Sequence, residues 1–185
     1  PSKNLGCFGD GGALLIKDDF LASRAKMIAN HGQKVKYKHD LVGCNSRLDS
    51  MQAAILSVKL KYLDDYISQR RRVAERYDKE LDKIEGIKIP KKFNNSSHVY
   101  HQYTIKLNER VRGSLQNVLK SKDIPTMVYY PIPLHLQPAY VSERFKKGSL
   151  PVSEKLSEVV LSLPIHTEMN EEQQKYIVDM IVESI

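Results

Sequence analysis

The side chain with the most chemical potential sits at the very start of the chain. Lys3 lies in the run PSKNLGCFGDGG and is followed closely by Gly6, Gly9, Gly11 and Gly12. Glycines let a backbone turn tightly and approach a ligand, and an amine held in such a turn can form a Schiff base where its surroundings favour the neutral form. The order of a P-loop (glycine, four residues, glycine, lysine, hydroxyl) is absent, so a phosphate cradle of that kind is not expected. A lone lysine has little specificity, and an exposed terminal lysine beside a glycine turn fits the same spacing. Further on, Asn45, Ser46 and Arg47 stand just before an apolar run that begins at Leu48. Asparagine and serine are favoured helix caps, and the guanidinium fork of Arg47 suits either a carboxylate or diphosphate ligand or an ion pair with Asp49 or another acid. Tyr129 and Tyr130 precede Pro131, where a strand should end, and a buried tyrosine with a satisfied hydroxyl is the plain alternative to a ligand contact there. His98 and His101 fall on opposite faces of a strand with no acid or cysteine to complete a set, so no metal site is expected.

The elements that must position these residues follow from periodicity. Gly12 to Lys17 predicts a short buried strand after the glycine cluster, and Asp18 and Asp19 supply the cap and acidic first turn of a helix carrying Phe20, Leu21, Ala25 and Ile28 up to Gly32. Residues 33–46 are polar, basic and aperiodic, which predicts a loop whose length suits function. From Leu48 an apolar stripe runs through Met51, Ile55, Val58 and Leu63, and helical character continues to Ile84, a span so long that it predicts either a bend near Tyr62 or one long helix bridging two structural units. Beyond Gly86, strands are predicted over 87–89, 99–107 and 126–130, with helices over 111–122, 150–161 and 170–185, the last capped by Asn170. Strands and helices in that order make a small α+β layer with an antiparallel sheet. The division expected is therefore 1–60, a connecting helix over 61–86, and a C-terminal domain over 87–185.

The 185 residues carry 29 basic and 22 acidic side chains, a net charge of +7, with 41% hydrophobic residues. That excludes collagen-like and largely disordered chains. No run approaches the roughly 18 apolar residues of a membrane span, and no signal segment opens the chain, so a cytoplasmic protein with no membrane partner is expected. Two cysteines, Cys7 and Cys44, are too few for a disulfide framework or zinc cage. The basic residues are dispersed and mixed with acids over 64–85, which reads as a solvated helix face rather than a nucleic-acid site, and the surplus also suits an anionic small substrate. The chain opens at Pro1 without an initiating methionine, as a piece of a longer protein would.

Five blocks in order carry a resemblance: PSKNLGCFGDGGALL, NHGQ at Asn30 to Gln33, NSRLDSMQAAIL at Asn45 to Leu56, HVYHQYTI at His98 to Ile105, and YYPIPLHLQPAY at Tyr129 to Tyr140. Together they resemble the C-terminal half of the pyridoxal-phosphate-dependent sugar aminotransferases of the DegT/DnrJ/EryC1/StrS family. The resemblance implies an α/β fold of fold-type I, with the end of the large cofactor-binding domain followed by the small α+β domain. It implies that Lys3 is the catalytic lysine that anchors pyridoxal 5'-phosphate as a Schiff base and then shuttles a proton as general base. Family members that are dehydratases carry histidine there, so lysine favours transamination.

By the same resemblance, Asn45 reaches the cofactor phosphate of a neighbouring subunit, which implies a homodimer with composite active sites. Arg47 matches a position near the substrate. Tyr129, Tyr130, His135 and Gln137 are candidates for the sugar-nucleotide pocket, although Tyr129 stands where the family more often has histidine. The implied reaction moves an amino group from glutamate to a nucleotide-linked keto-hexose, in amino-sugar or surface polysaccharide biosynthesis. In relatives the upstream half supplies an aspartate for the pyridinium nitrogen; Asp10 follows the lysine and fits the GDGG turn instead. A non-catalytic dimerisation or binding module is the alternative if the chain acts alone.

Overall fold

In the computed structural model, which describes residues 3–185, the chain forms two compact units, Pro1–Leu63 and Asp64–Ile185. The first is built around α1 (Asp19–Ala29). Its start is fixed by Asp18, whose carboxylate accepts the Leu21 N–H at 2.7 Å and so satisfies one of the free amides of the first turn. After Asn30 the backbone enters the left-handed region at His31 and Gly32, with φ of 59° and 77°. This turn leads into a small antiparallel hairpin of β1 (Gln33–Val35) and β2 (Lys38–His39). The predicted loop over 33–46 thus contains a hairpin, closed by the His39 ring against the His31 carbonyl at 2.8 Å.

Two glycines let the returning chain lie directly on the end of α1. A Cβ at Gly43 would sit 2.4 Å from the Gly32 nitrogen and 2.5 Å from the Ile28 carbonyl oxygen. With no side chain there, the backbone bonds form: Cys44 N–H to Ile28 O at 2.8 Å, His31 N–H to Cys44 O at 2.9 Å, and Ser46 N–H to Ala29 O at 2.9 Å. The bonds to Ile28 and Ala29 satisfy carbonyls that the last turn of a helix leaves open, and the His31 bond ties the helix exit to the returning chain. The chain then enters α2 (Ser50–Leu60).

Residues 12–17 do not form a strand. They run without a ladder among the described residues, and Leu14 and Leu15 are 79% and 99% exposed. The sequence pattern there is that of a strand buried on both faces, but a strand needs neighbouring backbone to pair with, and nothing among the described residues supplies it.

The long helical span breaks where the stripe suggested: α2 ends at Leu60 and α3 (Leu63–Leu81) follows the turn at Lys61 and Tyr62. In the second unit α3 places Val73, Ala74, Tyr77 and Leu81 in the core. The sheet at the centre of that unit pairs β3 (Tyr103–Lys106) antiparallel with β4 (Val160–Leu163), with Tyr103 opposite Leu163 and Ile105 opposite Leu161. Single bridges extend it at both edges, Lys88 to Lys106 and Met127 to Ser162, where short strands were predicted over 87–89 and 126–130.

The helices α4 (Glu109–Ser121), α5 (Pro151–Val159) and α6 (Glu171–Val182) complete the unit. Asn170 caps α6 in a reciprocal box with Gln173, as the sequence predicted for this residue. The helix predicted over 150–161 stops earlier, because Val160 to Leu163 become β4. That strand lies between β3 and Met127 and is buried on both faces, so its apolar run has no alternation to separate it from a helix. Two buried polar side chains among the described residues, Ser162 and Gln174, are hydrogen-bonded. Ser162 pairs with Thr104 across the strands at 2.8 Å, and Gln174 donates to the Val73 carbonyl at 2.8 Å while accepting from Arg76 at 2.6 Å.

Candidate active site

The turn that carries Lys3 is fastened at several points. Lys3 itself is exposed. Just after it, Cys7 is 4% exposed and its thiol donates to the Gly9 carbonyl at 3.1 Å. A Cβ at Gly11 would come within 2.8 Å of the Cys7 sulfur, which is why this turn takes a glycine there. The α2 helix supplies two further ties. The Gln52 side-chain oxygen accepts the Phe8 N–H at 2.8 Å, and the Lys59 ammonium donates to the Gly6 carbonyl.

In the same unit, Arg47 and Asn45 form a small network at the entry to α2. Arg47 donates from Nε to the Asn45 Oδ1 at 3.0 Å and from Nη1 to the Asn30 Oδ1 at 3.1 Å. Both acceptors are neutral amides, so they fix the plane of the guanidinium without cancelling its charge. Because Arg47 takes the Asn45 oxygen, the donor end of that amide is left for another acceptor. The rival readings of these two residues do not hold: the residue before α2 is Asp49, with no side-chain cap bond, and Arg47 goes to amides rather than to Asp49. Arg47 also lines an open groove of about 820 Å³ together with Gly11, Gly12, Leu14, Lys26 and Ser46.

The other candidates lie in the second unit. Tyr129 and Tyr130 are both exposed, with rings edge-to-face at 5.7 Å. His135, on a short 3-10 turn (Leu134–Leu136), is drawn away from solvent instead. Its Nε2 lies 3.0 Å from the Glu154 carboxylate, and its side chain is 7% exposed. Glu154 also accepts the Gly148 N–H at 2.8 and 2.9 Å and the Leu150 N–H at 3.3 Å. The Gly148 amide, with help from His135 and Leu150, holds this carboxyl below the usual glutamate range. Gln137 is half-buried between two 3-10 turns, its N–H on Leu134 O at 3.1 Å and its carbonyl accepting from Tyr140 at 2.9 Å.

The structure therefore brings Asn45 and Arg47 together and shows Lys3 on a turn tied to the helix they precede. Asn30, Gln52, Lys59 and Glu154 were not singled out by their sequence positions. Asn30 and Gln52 do lie in the NHGQ and NSRLDSMQAAIL blocks, and Lys59 follows Gln52 by two helical turns, which is the signal that could have found them.

A turn-borne lysine, a fixed arginine and an amide donor are the groups that a phosphorylated aldehyde cofactor and an anionic substrate would need. The chain belongs to the DegT/DnrJ/EryC1/StrS aminotransferase family, whose model matches residues 1–182. It is 49% identical over 99% of its length to a "pleiotropic regulatory protein" of Geobacillus stearothermophilus, covering 49% of that protein. It is 48% identical over 90% of its length to UDP-2-acetamido-2-deoxy-3-oxo-D-glucuronate aminotransferase of Pseudomonas aeruginosa, covering 45% of it. Among solved structures, DesV of S. venezuelae in complex with a ketimine intermediate superposes with a TM-score of 0.92 at 41% identity, over 98% of this chain and 48% of that one. The chain thus spans about half the length of the curated relatives it matches, and the fold described above is shared with that half.

Proposed function

We propose that the protein carrying this chain is a pyridoxal-phosphate-dependent aminotransferase that transfers the amino group of glutamate to a keto carbon of a nucleotide-linked hexose. On this reading residues 1–60 end the large cofactor-binding domain and 87–185 form the small domain. The protein works in the cytoplasm as a homodimer, in amino-sugar or surface polysaccharide biosynthesis. The observation that carries the reading is the lysine of the KNLG block, kept at position 3 on a well-fastened turn in a chain of this family.

When bound, pyridoxal phosphate supplies the electron sink that makes the α-proton of an amino acid removable. Lys3 is the residue that would hold the cofactor through its Nζ, and the same amine, when free, would serve as the general base for that proton. The Asn45 amide nitrogen would donate to a phosphate oxygen of the cofactor in the neighbouring subunit. Arg47, held flat by Asn45 and Asn30, presents its remaining N–H groups to a carboxylate or diphosphate. Tyr129 and Tyr130 offer exposed rings and hydroxyls to the sugar-nucleotide. His135 and Gln137 support that segment, His135 through its bond to Glu154.

The test is chemical trapping in the full-length protein. Pyridoxal phosphate is added, the imine is reduced with borohydride, and the labelled peptide is found by mass. The label is expected on Lys3 and should vanish in Lys3→Ala together with amino transfer from glutamate to a nucleotide-linked keto-hexose. Label on another lysine, or its retention in Lys3→Ala, overturns the reading. A non-catalytic module predicts no label at all.

A further inference from the structure

We propose that Gln52 and Lys59 are positioning residues for Lys3: from one face of α2 they hold the backbone that follows the lysine, and so set where its amine can reach. This rests on the reading of Lys3 as the cofactor anchor. The two side chains are seven residues apart on a single helix, which puts them on the same face two turns from one another. They grip the two consecutive peptide groups that flank Cys7, Lys59 at the Gly6 carbonyl and Gln52 at the Phe8 N–H, across sequence separations of 53 and 44 residues. Cys7, between the two gripped residues, is buried and closes back on Gly9, so the three consecutive residues Gly6 to Phe8 are all fixed.

A clamp of this kind is needed because the lysine side chain is not itself ordered by its type. Lysine carries about 2 kcal/mol of rotamer entropy on a flexible four-carbon stem, and a glycine-rich turn adds backbone freedom. Lys3 has to hold one position when anchoring the cofactor and remain close to it after release, when it acts as base. A backbone displacement of about 1 Å at such a group can cost about 100-fold in rate. The clamp also links both parts of the first unit's candidate site. The helix that holds the Lys3 turn is the one whose entry carries Asn45 and Arg47. The Gln52 bond uses a side-chain acceptor on a backbone donor, and the Lys59 bond a side-chain donor on a backbone acceptor. Each has a matching substitution: Gln52→Glu keeps an acceptor and Lys59→Arg keeps a donor, whereas Gln52→Leu and Lys59→Met keep the size and lose the bond.

The experiment uses the full-length protein with pyridoxal phosphate. Measured for each variant are kcat and KM, the pH at which the absorbance of the lysine-bound cofactor changes, and thermal stability. Gln52→Leu and Lys59→Met are expected to lower kcat by about 10- to 100-fold, with KM for the sugar-nucleotide within about threefold, and to move the pH of the absorbance change. Gln52→Glu and Lys59→Arg should restore kcat to within about threefold. Wild-type kcat and an unmoved absorbance profile in both Gln52→Leu and Lys59→Met overturn the proposal. So does a fall in thermal stability with the spectrum and kcat intact. Amide exchange at Phe8 in the unmutated protein gives a readout independent of whether the variants fold: strong protection is expected, and exchange at the rate of an open loop overturns the clamp. Lys3→Ala separates the two claims. If it still binds cofactor covalently, the anchor reading fails; if it does not and the clamp variants behave as wild type, only the clamp fails.

Discussion

Replacing Gly43 by alanine adds one methyl group, and the structure predicts a large effect from it. Gly43 does not lie in the left-handed region, so alanine carries no conformational penalty of its own there. The cost is steric. The new Cβ would meet three backbone atoms of the α1 exit, the Gly32 nitrogen at 2.4 Å, the Ile28 oxygen at 2.5 Å and the His31 carbonyl carbon at 2.9 Å. None of these can rotate away as the tip of a side chain could. Relief requires the 43–46 segment to move off the helix end by about 1 Å, since a carbon needs about 3.5 Å from such atoms. Overpacking of this kind costs about 1–3 kcal/mol. The shift also stretches the bonds Cys44 to Ile28 and His31 to Cys44, at about 1 kcal/mol each. The expected loss is therefore about 3–5 kcal/mol for the first unit.

Denaturant unfolding of the full-length protein, followed by amide exchange of Ile28 to Ser46, measures it. Gly12→Ala is the control, because nothing lies within 4 Å of the position its Cβ would take. If Gly43→Ala unfolds within about 0.5 kcal/mol of the parent, the usual range of surface changes, the backbone-on-backbone contact is not what holds Asn45 and Arg47 in place.

The remaining predictions concern the second unit. The Glu154 carboxyl is held below its ordinary value first by the Gly148 N–H and then by His135, so its contribution to stability is present above the unfolded glutamate pKa and is lost as pH falls through the lower folded value. Amide exchange at Gly148 and Leu150 should accelerate on acidification below about pH 4, and Glu154→Gln should remove that acid step. Burial pushes the hydroxyls of Tyr77 and Tyr103 above the ordinary tyrosine range, with Asp78 adding to the shift at Tyr103. Their contribution is full below about pH 10 and declines above it, so an ultraviolet titration should leave both protonated until the protein unfolds in alkali. Leu161→Ala, at a fully buried position of β4, should cost about 2–5 kcal/mol in chemical denaturation, whereas Val152→Ala on the exposed side of α5 should stay within about 0.5 kcal/mol.

How far the fold could be read in advance depended on whether the deciding contact was local. Asp18 and Asn170 cap their helices through bonds three residues away, to Leu21 and Gln173, and both were legible as caps from type and place alone. The break at Lys61 and Tyr62 follows from the stripe of one helix giving way to that of another. In contrast, β4 could not be separated from α5, because the chain passes from helix to central strand between Val159 and Val160 without a turn residue. Only the Ser162 to Thr104 and Leu161 to Ile105 pairings, more than fifty residues distant, make it a strand. The stretch 12–17 shows the converse: its strand pattern is intact, yet a ladder is a property of two segments and the described residues hold only one.

The same distinction explains what was visible of the site. Lys3, Asn45 and Arg47 could be picked out because they stand inside short blocks whose order carries the resemblance. Their supports could not, because a support is defined by what it touches. Gln52 and Lys59 look like ordinary polar members of a helix until the Phe8 amide and the Gly6 carbonyl are found at their ends. Asn30 looks like a helix terminus until Arg47 reaches it from seventeen residues on. His135 shows its partner only in the fold as well: its ring meets Glu154, a carboxylate that also accepts from the Gly148 and Leu150 amides. A reactive residue type is legible singly, whereas the geometry that makes it reactive is distributed over residues whose own types are unremarkable. The useful mutations in this protein are consequently the neutral-looking ones, and Gln52 is the one whose loss would report most directly on the lysine it never touches.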